Sequence, residues 1–186
     1  HCTQRFLRKL LCGILVCTPF FAWIYNDQEI GFRTVLDDFV LIQSAQNFHE
    51  SREYFVSTRT HTINGVQRHL SGNVDKRPPF MPFMTSMLFD IFGFNVRGAA
   101  FLNMGVTFCL LLSVFLLGNR FGGIASGVLS VALLCSIPLF IYIIGGSGME
   151  PLNLLLITLV FHFSLIHLEK PSTISAGLLV TSVALL

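Results

Sequence analysis

Apolar residues run along this chain in long unbroken stretches, without the alternation of a strand or the one-sided stripe of a soluble helix. Residues 98–117 carry no charged side chain, and neither do residues 122–149 or 151–168. Runs of about 20 residues match the length of an α-helix that crosses a hydrocarbon core. Lipid offers no partner to a backbone N–H or C=O, so a span must be a helix or part of a closed barrel. These runs lack the two-residue period of barrel strands, so they predict transmembrane helices. Another apolar segment, 10–25, follows Arg5, Arg8 and Lys9. It leaves through Phe20-Phe21-Ala22-Trp23-Ile24-Tyr25, too bulky for a small-x-small cleavage site and suited to a membrane interface. An uncleaved anchor is expected, with its basic flank in the cytoplasm. A last apolar stretch starts at Ile174 and reaches only Leu186, too short to span. With His1 in first place, this leads us to expect the N-terminal piece of a longer polytopic protein.

Between the first two spans lies one long hydrophilic segment, 26–97. It divides the chain into a basic flank and first helix at 1–25, a first external loop at 26–97, and helices two to four with the start of a fifth at 98–186. The external loop holds seven of the twelve Lys and Arg residues, which the positive-inside rule tolerates because the rule weakens for long translocated loops. The short turns obey it: Gly118-Asn119-Arg120 and Glu169-Lys170-Pro171 are expected to be cytoplasmic, and the turn at 145–150, with no Lys or Arg, external. Within the loop, 38–48 predicts a short helix capped by Asp37-Asp38. Phe83, Met84, Met87, Leu88, Ile91 and Phe92 make a helical face behind Pro78, Pro79 and Pro82, and that helix is expected to lie along the membrane interface. Residues 49–76 show no pattern. The expected fold class is therefore all-α, a polytopic transmembrane helical bundle with short interface helices in the first external loop.

Composition agrees and excludes some functions. Hydrophobic residues make up 53% of the chain and charged ones 12%, about half the usual globular share. A net charge of +2 argues against a nucleic-acid partner. The five cysteines show no metal-ligand spacing and read as small apolar residues. His162 and His167 are five apart, the wrong spacing for one ligand face, so interhelix hydrogen bonds are expected of them and of Asn103. Asp90 is expected to face water. The run at 145–148 lacks the lysine of a phosphate-binding loop.

Three polar features fall on the expected external face: Asp37-Asp38, then Asp75-Lys76-Arg77-Pro78-Pro79, then Glu150-Pro151. An acid near lipid is costly and therefore a candidate site, although an acid at a helix start also serves as a cap or dipole partner. A carboxylate can act as general base on a hydroxyl, and a guanidinium offers phosphate a planar fork of donors. An isolated Arg77 would equally anchor the loop at lipid headgroups.

In order and spacing, the strings Leu36-Asp37-Asp38-Phe39, Arg77-Pro78-Pro79-Phe80-Met81-Pro82, Phe101-Leu102-Asn103 and Gly118-Asn119-Arg120-Phe121-Gly122 resemble the N-terminal part of the multi-spanning glycosyltransferases that use polyprenyl-phosphate sugars (the GT-C superfamily, with the protein O-mannosyltransferases and the lipid A aminoarabinose transferases). The resemblance covers roughly residues 6–170. It implies a GT-C bundle in the cell (inner) membrane and transfer of a sugar from a polyprenyl-phosphate donor to a lipid, glycan or protein acceptor, with inversion. Asp37 would be the general base, assisted by Asp38. Arg77 would hold the donor phosphate. Asp38 and Glu150 would orient the acceptor or hold a divalent cation, which some relatives use and others do not. The chain departs from the family in carrying Asp-Asp where many members have Asp-Glu, and glycines at 145, 146 and 148 where many have Arg or Tyr. The competing expectations are a lipid-linked substrate transporter and a non-catalytic membrane subunit. A transporter places charges near the midplane of its spans, and spans two to four hold none.

Overall fold

A computed structural model describes residues 2–26, 36–52, 60–63, 66–69, 79–146 and 148–185. Seven helices are described: α1 (Cys2–Asn26), α2 (Leu36–Ser51), α3 (Phe80–Phe92), α4 (Val96–Cys135), α5 (Pro138–Ile144), α6 (Glu150–Glu169) and α7 (Thr173–Leu185). Three stretches are long and apolar enough to cross a membrane: Phe6–Asn26, Arg97–Cys135 and Glu150–Glu169. Their outer surfaces agree. Leu15, Trp23, Leu129 and Phe161 are each more than half exposed, which a water-soluble bundle of this size would avoid. The protein is membrane-embedded and helical.

The forty residues of α4 are two antiparallel arms. Gly122 and Gly123 leave helical geometry, Gly123 with φ of 75° and ψ of −168°, a conformation costly for any residue with a Cβ. A Cβ placed on Gly118 would lie 3.0 Å from Gly127 Cα. Nine residues of straight helix would separate them by about 14 Å, so the chain reverses here. The arms, 96–121 and 124–135, are the expected second span and the first half of the third, and their turn falls close to the predicted Gly118-Asn119-Arg120. Small residues at the crossing allow the backbones to approach, the usual basis of helix contact in lipid.

The third span is not continuous, contrary to expectation. Pro138 has no N–H and forces the residue before it out of helical geometry. Ile137 is accordingly extended (φ −80°, ψ 113°), and α5 starts afresh at Pro138. The helical bundle stands as expected, with one small local addition. The unpatterned segment contains an antiparallel hairpin, β1 (Thr60–Ile63) with β2 (Val66–His69), in the register Thr60 to His69 and Ile63 to Val66.

The main core joins α1, both arms of α4 and α5 through Cys17, Ile24, Leu111, Phe115, Val131 and Phe140. Gly13 permits the closest approach of α1, since a Cβ there would meet Leu112 and Phe115 side chains at 2.7 and 2.9 Å. A smaller cluster seats Met81 of α3 on Leu152 and Leu156 of α6. The described cysteines Cys12, Cys17, Cys109 and Cys135 are free thiols.

Candidate functional site

Polar contacts fix one end of the bundle. The Tyr25 hydroxyl, in the last turn of α1, lies 3.1 Å from the Ile144 carbonyl and 3.3 Å from Thr107 Oγ1 and has one hydrogen to donate between them. Thr107 donates in turn to the Asn103 carbonyl at 2.8 Å, and the Asn103 amide donates to the Gly146 carbonyl at 2.6 Å. This chain ties α1, α4 and the end of α5 at one level and holds the turn that leads to Glu150. Asn103 thus makes the expected interhelix contact, while its Oδ1 is buried without a partner.

Glu150 is the first residue of α6, followed by Pro151, and is exposed. Its carboxylate folds back over Gly148, where any Cβ would collide with it. That position suits an acid favoured by the helix dipole and leaves the carboxylate open to solvent.

Next to it lies α3. Its first turn, just beyond Arg77-Pro78-Pro79 in sequence, rests through Met81 on the first turns of α6. The α3 surface is divided as its sequence predicts: Phe83, Met87 and Ile91 face outward, and Met81, Thr85, Ser86 and Phe89 face the protein. An apolar groove of about 720 Å³ opens beside it, walled by Phe89, Phe92, Gly98, Leu102, Gly105 and Leu155.

The helix that carries the acid pair, α2, is clasped to α3. Asp90 accepts from Arg52 Nη1 at 2.9 Å and from Nη2 at 3.3 Å, and its Oδ1 lies 2.6 Å from His49 Nδ1. Phe48 stacks edge-on against Phe83, and His49 against Phe89. Asp90 is exposed, as expected, and it is also paired across to α2. The Arg52 guanidinium, and then His49, hold its carboxyl below the usual carboxylate range. Sequence reasoning passed over Arg52, His49 and Tyr25 as site residues, because each finds its partner at least 38 positions away.

The backbone at Asp37 and Asp38 lies in the first turn of α2, which starts at Leu36. The pair is thus inside the helix and not a cap in front of it. Their side chains, and all of Arg77, lie outside the described residues. Among the described residues no three His, Cys, Asp or Glu side chains gather in a metal-binding arrangement. His167 Nδ1 meets Ser175 Oγ of α7 at 2.9 Å, as expected of an interhelix bond. His162 departs from that expectation, with Nδ1 buried and unpartnered. Comparison with protein-family models, with curated proteins and with solved structures found no match.

Proposed function

We propose that this chain is a membrane glycosyltransferase of the GT-C type, moving a sugar from a polyprenyl-phosphate donor to an acceptor hydroxyl. The observation that carries the reading is the seat of Met81 on Leu152 and Leu156. It brings the segment after Arg77-Pro78-Pro79 against the helix that starts at Glu150, and α2 is clasped to that same segment. Helices α2, α3 and α6, far apart in sequence, are thus linked through α3, which supports a site built from the segments next to them.

The chemistry is a single displacement. The acceptor oxygen attacks the anomeric carbon while the bond from that carbon to the phosphate oxygen breaks. The transition state carries oxocarbenium character. The hydroxyl proton passes to the Asp37 carboxylate, acting as general base, and polyprenyl phosphate leaves with its charge held by Arg77. One displacement inverts the anomeric centre. Asp38 and Glu150 orient the acceptor; were a divalent cation bound, these carboxylates would be the groups to hold it. The apolar groove beside α3 has the character a prenyl chain needs. In this reading the acid pair faces the outside of the cell membrane, and Lys9, Arg120 and Lys170 face the cytoplasm.

The reading is tested by supplying radiolabelled polyprenyl-phosphate sugars to membranes that contain the intact protein. Label leaving the donor only when the protein is present supports a transferase. Label remaining on every donor in the presence of acceptor-rich membranes favours a non-catalytic subunit.

A further inference from the structure

The opposite end of the bundle carries a second, separate constellation. A recess of about 400 Å³ opens among α1, α4 and α6. Each of these helices, or the turn after it, contributes a cation: Lys9 from α1, Arg120 from the end of the first arm of α4, and Lys170 just after α6. One acid is present, Glu169, and it is bound to Arg120 Nη2 at 2.6 Å. Three cations facing one carboxylate leave the recess positive. Its remaining wall is apolar, with Phe6, Leu116 and Ile166. His162 also lines it, and its Nδ1 is buried without a hydrogen-bond partner.

The level of the recess matters. Glu169 closes the 20-residue span of α6, and Arg120 stands two residues before the α4 reversal. The charges thus lie where membrane-spanning helices end, at headgroup depth, with the apolar wall running toward the hydrocarbon. Basic pockets between transmembrane helices at that depth suit anionic lipid headgroups. Arg120 keeps most of its donor fork after one bond to Glu169, and the two exposed lysines carry ammonium groups on long stems able to follow a phosphate.

We infer that this recess is a binding site for the phosphate of an anionic phospholipid, with the first carbons of its chains against Leu116 and Ile166. The site is independent of the proposed transfer chemistry. A free phosphate anion would share the charged part of the site but not the apolar wall.

The test is native mass spectrometry of the delipidated full protein in detergent, titrated separately with short-chain phosphatidylglycerol, with phosphatidylcholine and with inorganic phosphate. Phosphatidylglycerol is expected to bind at least tenfold more tightly than either of the others. The Lys9→Gln/Lys170→Gln double variant, at two exposed positions that leave the Arg120–Glu169 pair intact, is expected to weaken it on the order of tenfold. Arg8→Gln, an exposed charge outside the recess, is expected to leave it unchanged. Equal binding of phosphatidylcholine, or equal loss in Arg8→Gln, would overturn the site in favour of diffuse surface attraction. Inorganic phosphate binding as tightly as the lipid would overturn the lipid assignment.

Discussion

Arg52 reaches Asp90 from a left-handed backbone. Its φ is 59°, an unfavourable value for a residue with a Cβ. It sits just past the last residue of α2, where its N–H still bonds to the Phe48 carbonyl at 3.1 Å. This is the position where helices commonly turn out through glycine. An arginine there bears a conformational cost, and the turn aims its guanidinium across to α3. Asp90→Asn removes the charge that both Arg52 and His49 meet, and is expected to loosen α2 from α3. Arg52→Gly relieves the backbone and is expected to loosen the helices nonetheless. The exchanged pair Arg52→Asp/Asp90→Arg is expected to restore closeness in part. Spin labels at the exposed positions Glu50 and Met87 would read the separation.

Acid provides an independent check on the same clasp. The Asp90 carboxyl is lowered from its ordinary 3.8, first by the Arg52 hydrogen bond and then by His49. A lowered acid stabilises the folded contact above the unfolded value, and that stability is lost as pH falls through the folded value. The spin-label distance should hold from neutral pH to about pH 4 and lengthen below it. Lengthening that begins near pH 6 would mean that Asp90 does not govern the contact.

The α4 reversal depends on glycine for space. A Cβ at Gly127 would stand 2.8 Å from the Phe115 carbonyl oxygen, a backbone atom with little freedom to move. Gly127→Ala is expected to cost about 1–3 kcal/mol through overpacking and to lower the thermal midpoint in detergent. Gly105→Ala is the matched control, because nothing lies within 4 Å of its Cβ position. It should be neutral or stabilising, as alanine is the better helix former.

Tyr25→Phe removes the hydroxyl that links α1 to Thr107 and Ile144. Interhelix hydrogen bonds in membranes contribute about 0.6–2 kcal/mol, and a loss in that range is expected. Hydrogen exchange should rise in the turn at 145–149 more than in α7, because the Tyr25 chain of contacts ends at Gly146.

Gly148→Ala separates the two meanings of Glu150. The new methyl displaces the carboxylate without removing it, and the displaced group is the mobile end of a side chain. An acid that only favours the start of α6 tolerates this. An acid that orients the acceptor does not. The proposed role predicts a fall in transfer with an unchanged thermal midpoint.

The spans were legible because lipid imposes length and apolarity on every one of them. The reversal near Arg120, two residues later than expected at Gly122-Gly123, and the break after Glu169 were legible for the same reason, since charge interrupts the runs there. The apolar face of α3 followed from its period and is indeed turned outward at Phe83, Met87 and Ile91. The hairpin was legible but missed. Asn64-Gly65, between Ile63 and Val66, is a strong two-residue hairpin signal, obscured by the polar composition around it. The Arg52–Asp90 clasp was not legible. Nothing local pairs residues 38 positions apart, and an acid in an apolar helix looks like any solvated one. The break at Ile137 follows from Pro138, a local signal set inside a run whose lack of charge reads as one continuous span.

Asp37 is the residue on which the proposed chemistry turns. The most direct measurement compares initial rates of sugar transfer from labelled polyprenyl-phosphate donor in membranes carrying wild type, Asp37→Asn and Asp38→Asn at equal expression. Loss of a general base is expected to cost about 10²–10⁴-fold, so transfer by Asp37→Asn should fall at least a hundredfold, with a smaller fall for Asp38→Asn. Wild-type rates in Asp37→Asn would contradict the account.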